Sequence, residues 1–173
     1  MFDDFSIQKY LDKKPPSNNS NTTKQELLEL TKIPIREKFI KEMDDSRKVF
    51  GNIVGKDPII NKLITQSRVI IDKIKEHHER PRPKVLAKKL GIKMKDIELK
   101  TMKTASYPSG HSTQGYLLGL VLSDKYPGKK EKLMKAARDI SYSRRVARAH
   151  YKSDSIVGEQ LGKDMYNHIK DKI

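Results

Sequence analysis

Apolar residues recur every three to four positions along most of the chain, the spacing that gathers them on one side of a 3.6-residue helix. The clearest stretch is 59 to about 78, where Ile60, Leu63, Ile64, Val69, Ile70 and Ile74 predict a long, well-buried helix. Ahead of it, Leu27, Leu28 and Leu30 follow Thr22 and Thr23, which predicts a helix capped by a threonine and ended by Pro34. Phe39, Ile40, Met43, Val49 and Phe50 predict a second helix over about 35–50, with 51–58 as a connection. Pro81 and Pro83 must stop the long helix, because a proline ring removes a backbone donor and disfavours helix in the residue before it, so Arg80 and Arg82 fall on an extended segment. A short helix is expected around 85–90, then loop to 107, then helices over about 111–126, 129–142 and 155–173. No segment alternates convincingly as a strand does, and no repeat is visible. The fold expected is an all-α, single-domain helical bundle.

Composition sets the scale of that bundle. A chain of 173 residues fits one compact domain with a core large enough to shape a pocket. The stretch 15–23, PPSNNSNTT, reads as a linker, which makes 1–23 an N-terminal arm and 24–173 the helical domain. The net charge of +15 favours anionic partners, whether nucleic acid, an acidic membrane surface or phosphorylated small molecules, although most of the lysines read as solvated surface. Cysteine is absent, which excludes a disulfide framework and a thiolate zinc site. The start, MFDDFSIQKYLDKK, is acidic where a signal peptide would be basic, and the longest apolar run, residues 116–122, is far short of the roughly 20 residues that span a bilayer. The expectation is a soluble, cytoplasmic protein.

Three separated stretches carry candidate chemistry. In Lys75-Glu76-His77-His78-Glu79-Arg80-Pro81-Arg82-Pro83 a lysine at a helix end and an arginine on the extended segment can converge on one anion, the lysine as a mobile point charge and the arginine as a planar fork. Pro108-Ser109-Gly110-His111 stands just before a predicted helix, whose first amides point at whatever lies beyond; by itself it would be an ordinary serine cap. In the third stretch, Ser143-Arg144 is followed after five residues by His150 and after three more by Asp154. There the carboxylate can accept from one imidazole nitrogen and leave the other free to attack; alone, such a pair is more often a surface contact. His77 and His78 invite a metal reading, but no third ligand accompanies them, and packing is the better expectation.

Taken together the stretches resemble the signature of the type 2 phosphatidic acid phosphatase superfamily, shared by class A bacterial-type non-specific acid phosphatases and vanadium haloperoxidases. That signature is a lysine separated by six residues from Arg-Pro, then Pro-Ser-Gly-His, then Ser-Arg, five residues, His, three residues and Asp, and all eleven positions occur here in order. Lys73 with Arg80-Pro81 has the same spacing as Lys75 with Arg82-Pro83; His77, His78 and Arg80 resemble the family pattern around the second pair, which is preferred, with Arg80 as a supporting cation. PPSNN ahead of a helix also resembles the soluble bacterial-type enzymes.

The resemblance implies a helical fold of the acid phosphatase/vanadium haloperoxidase type, with about six to eight helices. It implies a metal-independent acid phosphatase acting through a phosphohistidine on phosphate monoesters, with diphosphates as a second candidate class. Lys75, Arg82 and Arg144, with Ser109 and Gly110, would hold the phosphate oxygens, His150 would attack phosphorus, Asp154 would orient His150, and His111 would protonate the leaving group. No cofactor is expected, while vanadate or phosphate should bind the site. The alternatives are a vanadate-dependent haloperoxidase-like enzyme, against which the short chain argues, and a basic nucleic-acid-binding protein using Arg145, Arg148 and Lys152. Substrate identity and oligomeric state are not legible.

Overall fold

In the computed structural model, which describes residues 1–95 and 97–173, every regular element is helical. A short α1 (Gln8–Asp12) precedes α2 (Asn21–Lys32), α3 (Glu37–Asp44), α4 (Ser46–Val54), α5 (Pro58–His78), α6 (Pro83–Lys89), α7 (Gly110–Lys125), α8 (Lys130–Val146) and α9 (Lys152–Ile169), with 3-10 turns at Lys100–Met102 and Pro127–Lys129. Asp96, in the stretch expected to be loop, lies outside the described residues.

Helix ends follow local chemistry. Ser20, not a threonine, caps α2 by accepting from the amide of Thr23. The single helix expected over 35–50 is two helices, because the Asp45 side chain leaves the helical path and accepts from the amide of Arg47, starting α4 afresh. Asp57 caps α5, whose first residue is Pro58, where a missing amide hydrogen does no harm. The prolines do not end α5 directly: Glu79 takes a left-handed conformation (φ 50°) and closes it, Arg80 to Arg82 run extended, and Pro83 opens α6.

α7 is the axis of the bundle. Leu117, Leu118, Val121 and Leu122 are buried, and α8 and α9 pack along its two sides with α5 behind. The approach of α9 is close enough to require glycine. A Cβ built on Gly158 would lie 2.6 Å from the carbonyl oxygen of Ser109 and 3.0 Å from the Ser112 Cβ, and one on Gly162 would collide with the Thr113 carbonyl. The tertiary contact thus fixes α9 against the first turn of α7, where Pro-Ser-Gly-His sits. The arm is tied in as well: Phe2 and Tyr10 enter the core, the Tyr10 hydroxyl donates to Asp164, and His78 bonds the Tyr10 carbonyl.

One expected result concerns that contact. Gly158→Ala should lower the thermal midpoint by several degrees, since overpacking against backbone costs about 1–3 kcal/mol and a chain of this length shifts roughly 2–4 °C per kcal/mol. Gly51→Ala, in α4 with open space around it, should be neutral or slightly stabilising. Calorimetry of the two variants checks the contrast.

Candidate active site

The spacings of the three stretches turn out to be helix-end geometry. α8 continues past Tyr142 to Val146, so Ser143 and Arg144 lie in its last turn. Arg148 then takes a left-handed conformation (φ 56°), its amide bonding the Arg145 carbonyl and the Ala149 amide bonding the Arg144 carbonyl, which is the double bond pattern of a Schellman cap. That single turn carries the chain from Arg144 to His150 and places His150 just before Tyr151, the N-cap of α9. Asp154, on the first turn of α9, accepts from the Tyr151 amide at 3.1 Å and, with the same oxygen, lies 3.1 Å from His150 Nδ1. Five residues and then three are what a helix stop followed by a helix start require.

His150 and Asp154 are fully buried, and the hydrogen bonds assign the imidazole. Arg82 Nη1, which can only donate, stands 3.0 Å from His150 Nε2, so Nε2 carries the lone pair and Nδ1 donates to Asp154. Burial, together with the cations Arg82, Lys75 and Arg144, holds the His150 pKa well below the ordinary histidine range, and the ring is neutral. Burial pushes the Asp154 carboxyl up to about 6, opposed by Arg80 at 2.7 Å and by donors from Ser106 and the Tyr151 amide.

The cations converge as well. Lys75, at the last turn of α5, is buried with Nζ 2.8 Å from Thr104 Oγ1, and burial lowers its pKa to about 8. Lys73 is exposed, whereas Lys75 lines the same cavity as Arg82. Arg82 is held by the carbonyls of Thr104, Thr101 and Ala149. Arg144 is 1 % exposed; Nη1 donates to Asp44 at 3.0 Å, Nε to Ser143, and Nη2 is buried with no hydrogen-bond partner among the described residues. A buried guanidinium edge left open beside two other cations is what an oxyanion would complete.

Lys75, Arg82, Gly110, His111 and His150 line one cavity of about 340 Å³. Ser109 contributes from behind: its hydroxyl accepts from Ser112, capping α7, and its amide donates to the Asp154 carbonyl. Gly110 and His111 supply the first amides of α7, which the helix itself leaves unpaired. His111 Nε2 donates to the Asp44 carbonyl at 2.7 Å, and burial with Arg144 nearby lowers its pKa to about 3.

The geometry also names residues that the sequence did not single out. Asp44 holds both Arg144 and His111, Thr104 both Lys75 and Arg82, and Ser106 binds Asp154. Glu26 accepts from the Ser153 amide and hydroxyl and from Arg80, whose guanidinium also stacks 3.7 Å from the Tyr151 ring. Arg80 is therefore the carboxylate's partner and not a phosphate cation. The Asp-Asp-Ser break between α3 and α4 was the available signal for Asp44; Thr104 and Ser106 had none. His77 and His78 pack edge to face, and His78 packs in turn on Tyr107, away from the cavity; no group of three His, Asp or Glu suited to a metal occurs among the described residues. Of the cations considered for nucleic acid, Arg148 is spent on the carbonyls of Val146 and Ile33 and Arg145 lies over Tyr142, leaving Lys152 exposed. No helix among the described residues is long and apolar enough to cross a membrane.

Stretches of 88 and 108 residues align with non-specific acid phosphatases from Salmonella typhimurium (36 % identical, 51 % of this chain and 35 % of the relative) and Providencia stuartii (33 % identical, 59 % and 43 %) respectively. The alignments thus span between about a third and under half of the length of those curated relatives. A family model, the PAP2 superfamily, matches residues 59–163, from the start of α5 through the whole of the cavity's signature to the body of α9. With Lys75, Arg82, Gly110, His111 and His150 of its signature lining one cavity, and with that model covering more than half of its length, the chain belongs to the PAP2 superfamily.

Proposed function

We propose that this protein is a phosphatase that hydrolyses phosphate monoesters through a phosphohistidine on His150, with no metal in the chemical step. The observation that carries the reading is the fixed lone pair of His150 Nε2, held toward the cationic cavity by the Nδ1 bond to Asp154. In the first step Nε2 bonds to phosphorus as the ester P–O bond breaks, and the proton that the substrate monoanion carries in passes to the departing oxygen through the free Nδ1 of His111, whose Nε2–H stays on the Asp44 carbonyl. Arg82 transfers its Nη1 donor from the Nε2 lone pair to a phosphoryl oxygen, which Lys75 and Arg144 also hold as charge spreads over the equatorial oxygens. Water then attacks phosphorus, giving a proton to His111, and the P–N bond breaks to return the lone pair to His150. Orthovanadate, a mimic of the five-coordinate centre, should inhibit strongly.

The pH dependence follows from the charges. His111, at about 3, enters the reaction neutral, so the catalytic proton arrives with the substrate monoanion, whose second ionisation lies near 6. Phosphate release should therefore fall as pH rises through the substrate's own second pKa, and further above about 8 as Lys75 loses its charge. It should fall on the acid side as Asp154 gains a proton near 6. The test is kcat/KM against pH, in chelator-treated protein, for a chromogenic ester and for esters with higher or lower second pKa values. The alkaline limb should follow the substrate while the acid limb stays in place. Absence of phosphate release from all of them would overturn the function, and an alkaline limb indifferent to the substrate would mean that His111 brings its own proton.

A further inference from the structure

The three cations that face a phosphoryl group account for only part of the charge around it. Among the described residues the cavity wall carries five Lys or Arg side chains, Arg68, Lys75, Arg82, Lys100 and Lys103, against one carboxylate, Asp72. Arg68, Lys100 and Lys103 belong to none of the signature stretches, and none has a hydrogen-bond or ion-pair partner among the described residues. Their placement is ordered. Arg68, Ile71, Asp72 and Lys75 form one stripe on α5, so Arg68 stands two turns, about 10 Å, back from the phosphate end of the cavity. Lys100 and Lys103 face the same space from the 3-10 turn beyond α6, and they continue with Arg82 into a neighbouring groove. Apart from His111 and His150, no aromatic side chain among the described residues lines the cavity, so no Phe, Tyr or Trp face is offered to a nucleobase.

On the phosphatase reading above, we infer that Arg68, Lys100 and Lys103 form a leaving-group subsite for a second phosphoryl group, which makes compounds with two or more phosphates and no aromatic moiety the preferred substrates. A single phosphoryl dianion is already matched by Lys75, Arg82 and Arg144, and the exposed Arg68, Lys100 and Lys103, set against Asp72 alone, leave a net positive wall that an anionic departing group complements. For inorganic diphosphate the terminal phosphorus bonds to His150 Nε2, the bridging P–O bond breaks, and the departing phosphate stays between Lys100, Lys103 and Arg68 until it leaves. Water then releases the second phosphate. A hexose bisphosphate presents the same chemistry with the two groups further apart.

The experiment compares kcat/KM for inorganic diphosphate, tripolyphosphate, a hexose bisphosphate and p-nitrophenyl phosphate in the wild type, in Arg68→Ala and in Lys100→Ala/Lys103→Ala. Losing charge-assisted contacts should lower the value for the multiply phosphorylated compounds by about tenfold to a hundredfold, mainly through KM, and that for p-nitrophenyl phosphate by roughly threefold at most. The relative loss on diphosphate and bisphosphate says which source the spacing suits. Equal losses on all four compounds, or none, would overturn the subsite. Calorimetric binding of methylenediphosphonate against methylphosphonate, in wild type and in the double variant, tests the same surface without turnover. A preference for the diphosphonate that the double variant loses supports the subsite even if nothing is hydrolysed, in which case the phosphatase reading alone fails; no preference in the wild type removes the subsite.

Discussion

His150→Ala should reduce phosphate release by about three to six orders of magnitude, because in the proposed mechanism it deletes the atom that would bond to phosphorus while leaving the cationic cradle. Asp154→Asn should lose less, since the imidazole remains and only its tautomer and orientation are disturbed. The two losses should not add, as Asp154 acts on phosphorus through His150 alone. Removing the ring also deprives Arg82 of an acceptor and Asp154 of a donor, so the thermal midpoint must be followed alongside turnover to separate damage to the fold from loss of the nucleophile. Quenching wild-type protein during turnover with detergent at alkaline pH, where a phosphoramidate survives, should trap label on His150. Near-normal hydrolysis in His150→Ala would end the assignment.

How much of this was legible from the sequence depended on whether the determinant was local. The signature spacings could be read because each is a helix terminus: a cap and first turn at Ser109 to His111, a Schellman turn from Arg144 to His150, and a first-turn carboxylate at Asp154. α5 was legible because its apolar stripe is long and one-sided. What could not be read is what binds across the fold. Asp44 meets Arg144 from 100 positions away and Glu26 meets Arg80 from 54, and neither spacing leaves a periodic trace. The break between α3 and α4 was hidden by apolar spacing that runs through it, while Asp45 overrides that spacing with one capping bond. The choice between Lys73 and Lys75 rested on resemblance in the sequence and on burial in the fold, a property set by what α5 packs against.

Replacing Arg80 should move the acid limb of the pH profile. Arg80 is 1 % exposed, its Nη1 lies 2.7 Å from the Asp154 oxygen that does not touch His150, and its positive charge opposes the burial that drives the carboxyl toward its neutral form. In Arg80→Met burial acts without that opposition, and the carboxyl should take up a proton about one to three pH units higher than in the wild type. A protonated Asp154 no longer favours the Nδ1–H tautomer, so kcat/KM should fall as pH drops through this higher value, with the alkaline limb unmoved. Arg80→Lys keeps the charge and should hold the limb near its wild-type position despite losing the stack on Tyr151. Glu26→Gln should shift it the opposite way, because Arg80 then has one fewer carboxylate to serve. Stability supplies an independent reading. Breaking a buried ion pair costs about 3–5 kcal/mol, and a carboxyl whose folded pKa exceeds its unfolded value favours the folded state at low pH and loses that contribution as pH rises through the folded pKa. The deficit of Arg80→Met relative to wild type should thus be largest near pH 8 and shrink toward pH 5, since the depressed histidines His111 and His150 are common to both proteins and cancel in the difference. A merely structural arginine would lower the thermal midpoint equally at every pH and leave the acid limb where it was; that outcome would show that Arg80 holds the fold and not the charge of Asp154.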